Sequence, residues 1–142
     1  MEVRCMANND GATNEMKIIP YDETYYTAIH AMYLKQGWMN LAENYTQTQV
    51  AWNHSTIACI AVTKDDEVVA CIRGFTDTLV TTFICEMLVD ENFRGYGIGK
   101  ELLNYVHSLY PSTRIEMLAT ESSRSFYEKE GYRSFYGFRK SF

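Results

Sequence analysis

The chain has 142 residues, 46% of them hydrophobic, which suits one domain with a sizeable core. Its formal net charge of −5 argues against a nucleic-acid surface, which usually needs a basic face, and weakly favours a cationic partner such as an amine. Because no apolar run approaches the roughly 20 residues that span a bilayer, and the N-terminus lacks the apolar core of a secretory signal, we expect a cytoplasmic protein with no membrane or nucleic-acid partner.

The first residues are rich in asparagine, glycine and other small polar residues. We therefore predict a flexible tail over residues 1–15 and one domain over residues 16–142. At the start of the domain, residues 17–23 predict a short strand. Pro20 limits its length, because proline cannot donate a hydrogen bond to a neighbouring strand.

Two helices are predicted next. Residues 23–36 place apolar side chains at helical spacing on one face, and Gly37 is a typical helix stop. The side chains on that face are Tyr26, Ile29, Met32 and Tyr33. Residues 40–55 are predicted as a second helix, in which Asn40 and Glu43 form a pair like a capping box.

The second half of the chain alternates between strand and helix patterns. Strands are predicted at 56–62, 67–75 and 80–89, a helix at 97–110, a strand at 114–120, a helix at 123–131 and a last strand at 132–140. The three consecutive strands favour an antiparallel meander, and the strand–helix–strand unit that follows favours a parallel crossover. The order β-α-α-β-β-β-α-β-α-β therefore predicts an α/β fold with a mixed sheet flanked by helices.

A glycine-rich loop, residues 94–99, joins the strand at 80–89 to the helix at 97–110. Glycines let backbone N–H groups turn toward a bound oxygen, and the N-terminal end of a helix attracts an anion. Arg94 adds a charge to the loop. The loop is neither a GxxxxGK[ST] phosphate loop nor a GxGxxG dinucleotide loop, since Gly95, Gly97 and Gly99 give GxGxG.

Two blocks together resemble the GCN5-related N-acetyltransferase (GNAT) family. The first is the pattern Arg-x-x-Gly-x-Gly, which starts at Arg94 five residues after Val89. The second, residues 125–132, is similar to the late FYEKxGF segment of that family. The resemblance implies an N-acetyltransferase with a central splayed sheet that uses acetyl-CoA as acyl donor. It is specific in motif over about residues 83–132.

The resemblance also assigns cofactor contacts. Leu88 and Val89 would offer backbone groups to the pantetheine arm. The phosphates would be held by Arg94, Gly95, Tyr96, Gly97, Ile98, Gly99 and Lys100. Thr120 stands where the family often has an asparagine that contacts CoA, so this chain departs from the pattern there.

Acetyl transfer to an amine requires a proton acceptor, a polarised thioester carbonyl and a proton donor for the leaving thiolate. By resemblance, Tyr127 is the general acid; the alternative is that its ring only packs. Glu86 is the candidate base or amine anchor, because a carboxylate inside an apolar strand is costly unless it is paired or functional. The alternative for Glu86 is a structural ion pair with Arg73.

The acceptor is expected to be a primary amine of a small molecule. Several rings on the first two helices would suit an aromatic or flat cationic amine, although core packing is the alternative for each. These rings are Tyr25, Tyr26, Tyr33, Trp38, Tyr45 and Trp52. Ser55 and residues 73–77 resemble the bacterial and plastid branch that includes serotonin N-acetyltransferases. A protein lysine or N-terminus as acceptor, and a non-catalytic CoA-binding module, remain alternatives.

The four cysteines form no CxxC pair, so we expect no zinc site and no metal cofactor. Cys59, Cys71 and Cys85 fall in apolar, strand-like runs and are predicted to be buried free thiols. Only one strand is predicted after the last helix, where the family usually has two. A second protomer could complete that sheet edge, which would make the protein a homodimer.

Overall fold

The computed structural model describes residues 2–7 and 13–142 and contains a six-stranded sheet with helices against both of its faces. The strands are β1 (Glu2–Ala7), β2 (Thr13–Pro20), β3 (Ile57–Thr63), β4 (Val68–Thr76), β5 (Thr81–Val89) and β6 (Arg114–Met117). The helices are α1 (Tyr26–Gln36), α2 (Met39–Ala42), α3 (Tyr45–His54), α4 (Ile98–Leu109) and α5 (Arg124–Lys129). Short 3₁₀ turns, Glu23–Tyr25 and Glu91–Phe93, precede α1 and α4.

The strands lie side by side in chain order. All neighbouring strands are antiparallel except β5 and β6, which are parallel and joined through α4. This mixed sheet with helices on its faces is the predicted fold class, which is confirmed.

Each face of the sheet has its own hydrophobic cluster. Helix α1 buries the predicted stripe of Tyr26, Ile29, Met32 and Tyr33 in the cluster on one face, and α3 adds Trp52. Helix α4 buries Ile98, Leu102 and Val106 in the cluster on the other face. The sheet therefore separates an α1–α3 face from an α4 face, and this division decides which residues meet at the site.

The predicted tail contains strand. Residues 2–7 form β1, and β2 already begins at Thr13, so the prediction of a flexible tail over 1–15 is wrong for these residues. The remaining residues of that tail lie outside the described part of the chain. Strand β1 pairs antiparallel with β2 and so supplies hydrogen-bond partners to what would otherwise be its free edge. The polar and small residues at 8–15 dominate the composition of this segment and so masked the short alternation Glu-Val-Arg-Cys at the start of β1.

The predicted second helix is broken in two. Helix α2 ends at Ala42 and α3 begins at Tyr45, and Asn44 between them has a non-helical backbone. The Asn44 side chain donates to the carbonyl of Asn40, while its own carbonyl accepts from the Thr48 N–H. Asn44 thus starts a new helix, and the predicted capping pair of Asn40 and Glu43 does not form, because α2 begins one residue before Asn40.

The predicted last strand is absent. Residues 133–142 make no backbone–backbone hydrogen bond with the described residues. Strand β6 is only four residues long, and no further strand lies at its outer edge among the described residues. Gly137 packs against the Leu118 side chain, yet four rings of this segment are more than three-quarters exposed. They are Phe135, Tyr136, Phe138 and Phe142.

Two predictions concern the cysteines and membranes. Cys59 and Cys71 are buried free thiols, as predicted, and burial raises the pKa of both; the free Cys85 is half-buried. Within the described residues, no helix has the length and apolarity needed to cross a bilayer. No cluster of three or more metal-ligating side chains occurs in the same part of the chain.

Candidate active site

The loop between β5 and α4 has two glycines in the left-handed region. Gly95 has φ 84° and Gly97 has φ 85°. Residues other than glycine rarely adopt this backbone conformation. A Cβ at either position would meet no heavy atom within 4 Å. The backbone therefore turns here in front of open space. A phosphate group could approach the backbone N–H groups of the turn from that open side.

The first turn of α4 faces the same loop. Gly97 precedes the helix and accepts the N–H of Glu101 at 3.0 Å. The N–H groups of Ile98, Gly99 and Lys100 have no acceptor among the described residues. Three free donors and the positive end of a twelve-residue helix thus adjoin the glycine turn. An anionic group such as a pyrophosphate fits this set of donors.

Arg94 is already oriented in the loop. Its Nε donates to the Val89 carbonyl at 3.0 Å, and its Nη2 donates to Gln36 Oε1 at 2.6 Å. Gln36 is the last residue of α1, and the sequence analysis did not select it. Lys100 Nζ lies 3.8 Å from Glu130 Oε2. Helix α1 is therefore attached to the glycine-rich loop through Arg94.

Gly99 and Tyr96 also serve packing. A Cβ at Gly99 would stand 3.2 Å from the Phe126 ring and 3.3 Å from the Met87 side chain, so a larger residue would push α4 away from α5 and β5. The Tyr96 ring packs against the cluster on the α4 face. The space beside the Gly99 Cα is thus filled by Phe126 and Met87, so only the backbone of Gly99 remains for a ligand.

Strand β5 contains a bulge where its pairing with β6 ends. Arg73 pairs with Glu86 and Gly74 pairs with Ile84, which leaves Cys85 as an extra residue on β5. The pairing of β5 with β6 stops at the same Ile84. The edge of β5 from Cys85 to Val89 therefore borders an opening in the sheet, and Leu88 and Val89 lie on this edge.

Glycine is required opposite the bulge. A Cβ at Gly74 would collide with the Phe83 carbonyl oxygen, because the bulge brings the two backbones together. The bulged geometry of β5 thus depends on a residue of β4.

Tyr127 lies on α5 with its ring against the cluster on the α4 face. The ring makes edge contacts with Phe126 and Tyr132 at centroid distances of 5.1 Å and 5.6 Å. Its hydroxyl has no hydrogen-bond partner among the described residues. Burial, with a smaller effect of Tyr132, raises the pKa of Tyr127, so the phenol stays protonated and able to donate at neutral pH.

Thr120 lies before α5 and is occupied by local contacts. Its backbone N–H donates to the Ser123 hydroxyl at 3.0 Å, and its own hydroxyl lies 3.0 Å from Ser122 Oγ and 3.1 Å from Ser123 Oγ. The Thr120 carbonyl accepts from the Ser123 and Arg124 N–H groups and so starts the helix.

Glu86 is held by Arg73 in a two-pronged ion pair. Both contacts, Nε to Oε2 and Nη2 to Oε1, are 2.6 Å long, and the Glu86 and Arg73 side chains are 8% and 12% exposed. Behind the pair, Tyr33 points its hydroxyl at Glu86 Oε2 at 3.4 Å and accepts from Trp52 Nε1 at 2.9 Å. Arg73 also donates to the Ser55 hydroxyl at 3.2 Å. The ion pair that was the alternative for Glu86 therefore exists.

Replacing Glu86 with glutamine should destabilise the domain by about 3 kcal/mol, because removing one partner leaves the buried Arg73 charge uncompensated. An arginine side chain does not lose its proton in proteins, so Arg73 cannot escape the cost by becoming neutral. Urea unfolding of Glu86→Gln, Arg73→Met and the double variant measures the interaction free energy between the two side chains. Additive losses in the double variant would show that the two side chains do not stabilise each other.

The candidate catalytic residues lie on opposite faces of the sheet. Tyr127 packs with the cluster on the α4 face, where Met87 and Val89 of β5 also pack. Glu86 reaches Tyr33, which belongs to the cluster on the α1–α3 face. A continuous sheet would separate Tyr127 from Glu86. The two side chains could therefore act on one substrate only where β5 and β6 diverge, after Ile84.

Comparisons with known proteins agree with this architecture. Residues 55–134, more than half of the chain, match the family model described as Acetyltransferase (GNAT) domain. No curated protein matches the sequence of the chain.

Solved structures share the fold at low sequence identity. A GNAT-family acetyltransferase from Streptococcus pneumoniae TIGR4 has a TM-score of 0.70 at 20% identity and covers 89% of this chain and 96% of its own. One from Staphylococcus aureus Mu50 has a TM-score of 0.70 at 18% identity over 85% and 86%. An aminoglycoside N-acetyltransferase in complex with CoA has a TM-score of 0.69 at 14% identity over 89% and 95%.

Proposed function

The chain belongs to the GNAT family of acetyltransferases, and from this we propose that it transfers an acetyl group from acetyl-CoA to a primary amine of a small molecule. One observation carries the proposal. The glycine turn at Gly95 and Gly97 opens in front of the free N–H groups of α4, directly after the edge of β5 that borders the opening in the sheet. An anion site and a cleft for an extended chain are therefore continuous.

Acetyl-CoA, when bound, supplies the activated acetyl group as a thioester. The residues that would hold it are Leu88, Val89, Arg94, Gly95, Tyr96, Gly97, Ile98, Gly99, Lys100 and Thr120. The backbone donors of the loop and α4 offer hydrogen bonds to the pyrophosphate, and Arg94 adds a positive charge. The open edge of β5 offers backbone groups to the pantetheine arm. The Thr120 hydroxyl already contacts the hydroxyls of Ser122 and Ser123, so it would have to leave them to form a hydrogen bond with CoA.

The chain's own groups supply the rest of the reaction. A backbone N–H of β5 near the bulge at Cys85 would donate to the thioester carbonyl oxygen. The Tyr127 hydroxyl donates a proton to the leaving sulfur. Glu86 acts on the acceptor side of the sheet, where Arg73 shares its carboxylate. Because both of its oxygens already accept from Arg73, we assign Glu86 the anchoring of the amine instead of the role of base, with water carrying the amine proton away.

Calorimetric titration with acetyl-CoA, and with free CoA as a control, tests this function. We expect one-to-one binding of both at micromolar affinity, because the phosphates are common to them. An amine panel in the presence of acetyl-CoA should then release free thiol as acetyl is transferred. A chain that binds neither compound would contradict the proposal at its first step.

A further inference from the structure

The side chain of Arg94 is held at two points, although it is exposed. Its Nε donates to the Val89 carbonyl at 3.0 Å, and its Nη2 donates to Gln36 Oε1 at 2.6 Å. A planar guanidinium that is held through one N–H can still turn about that hydrogen bond, whereas a second contact fixes its plane. Gln36 is therefore the residue that fixes the orientation of the Arg94 guanidinium.

The two contacts leave most of the donors of Arg94 free. A guanidinium carries five N–H groups, and the contacts with Val89 and Gln36 use two of them. The other three have no acceptor among the described residues. Because Gln36 is neutral, it accepts a hydrogen bond without cancelling the positive charge of Arg94. Both the charge and the free donors therefore remain for an anion.

Gln36 has a fixed place at the end of α1. Gly37 follows it with a left-handed φ of 80° and ends the helix there. The preceding residue, Lys35, places its Nζ 3.3 Å from Asp90 Oδ2, directly after β5. Two consecutive side chains of α1 thus contact the segment that follows β5, so the position of Gln36 does not depend on Arg94 alone.

A cavity lies where α1 meets the end of β5. Met32 and Gln36 are among the residues that line it from α1, and Leu88 and Val89 line it from β5. The same Leu88 and Val89 are proposed above to border the pantetheine arm, and Arg94 is proposed to contact the phosphates. Gln36 therefore lies beside the proposed cofactor site and is linked to it through Arg94.

We propose that Gln36 is a positioning residue, which holds the Arg94 guanidinium in place for the phosphates of acetyl-CoA. The proposal rests on the acetyltransferase function proposed above. An exposed arginine that rotates freely loses side-chain entropy when a ligand fixes it, and this loss weakens binding. Gln36 orders the side chain before the ligand arrives, which lowers that cost. Because an exposed contact contributes little to folding, the effect of Gln36 should appear in cofactor affinity and not in stability.

The test is calorimetric titration of the full chain with free CoA, which does not depend on turnover. We expect Gln36→Ala to weaken the affinity about fivefold. In an Arg94→Ala background, Gln36→Ala should cause no further loss, because it acts only through that side chain. Gln36→Glu keeps an acceptor oxygen but neutralises the Arg94 charge, so it should also weaken binding while stability in urea changes little.

Gln47 provides the matched controls. It is an exposed glutamine on α3, and its side chain has no contact with another described residue. Gln47→Ala and Gln47→Glu repeat the two changes of size and charge away from Arg94. Both control variants should bind CoA as tightly as the parent.

Parental affinity in Gln36→Ala or in Gln36→Glu overturns the proposal. An equal loss from Gln36→Ala with and without Arg94 overturns it too, because Gln36 would then act through the packing of α1. Failure of the proposed function appears separately, as a parent that binds neither acetyl-CoA nor free CoA. In that case NMR of the unliganded chain decides on Gln36. Faster exchange of the Arg94 Nε proton with water in Gln36→Ala supports the positioning of Arg94, and an unchanged rate overturns it.

Discussion

Replacing Gly97 with glutamate is expected to abolish binding of acetyl-CoA while the domain stays folded. The backbone at Gly97 has φ 85°, which costs a residue with a side chain about 1 kcal/mol, and the added carboxylate would stand in the open space in front of α4. There it would repel the pyrophosphate and occupy the free N–H groups of Ile98, Gly99 and Lys100. Calorimetric titration should show affinity reduced by more than about 100-fold, a loss of roughly 3 kcal/mol or more.

Gly131→Glu is the matched control for this substitution. Gly131 has φ 88° and, like Gly97, no heavy atom within 4 Å of a Cβ position, but it follows α5 instead of preceding α4. Both variants should lose similar stability in urea, and only Gly97→Glu should lose the cofactor. If Gly97→Glu bound acetyl-CoA as tightly as the parent, the loop would not be part of the cofactor site. Loss of binding in both variants would attribute the effect to backbone strain.

The parts of the fold that the sequence predicted are those with strong local signals. The stripe from Tyr26 to Tyr33 has helical spacing, and Gly37 has the left-handed backbone of a helix stop, with φ 80°. Pro20 limits β2 as expected, although the strand begins at Thr13 and so extends over 13–20 instead of the predicted 17–23. Each of these signals acts within one turn or one strand. Tertiary structure then adds to them without overriding them.

The secondary-structure predictions were wrong where the outcome depends on a hydrogen-bonding partner elsewhere in the chain. Residues 132–140 have a strand-like composition, yet a strand needs a neighbour, and composition does not say whether one is present. The opposite holds for Glu2–Ala7, which lies in a segment of polar composition but pairs with β2. Asn44 broke the predicted helix at 40–55 through side-chain and backbone hydrogen bonds that spacing does not reveal.

The site follows the same division. The loop from Gly95 to Gly99 was predicted from its glycines, because glycine readily adopts the positive φ that the backbone has at Gly95 and Gly97. The bulge at Cys85 and the contact of Gln36 with Arg94 depend on register between strands and on packing between elements. In a sequence, a bulge is visible only as a break in the alternation of buried and exposed side chains along the strand. The residues around Cys85 show no such break.

Replacing Tyr127 with phenylalanine is expected to lower turnover by about 100-fold while leaving the affinity for acetyl-CoA unchanged. The change removes one hydroxyl that has no hydrogen-bond partner among the described residues, so neither stability nor ring packing should suffer. The edge contacts with Phe126 and Tyr132 need only the ring. Turnover and cofactor affinity, measured separately, distinguish a proton donor from a packing residue.

The dependence on pH makes this test sharper. Burial raises the pKa of Tyr127 above its usual value of 10.0, so the phenol is fully protonated below that value and loses its proton only as the pH rises through the raised pKa. The ratio of parental to Tyr127→Phe turnover should therefore stay constant from about pH 6 to pH 9. Tyr132→Phe, the same change in a ring 5.6 Å away whose pKa burial also raises, should keep parental turnover. Equal turnover of Tyr127→Phe and the parent across this range would mean that another group protonates the leaving sulfur.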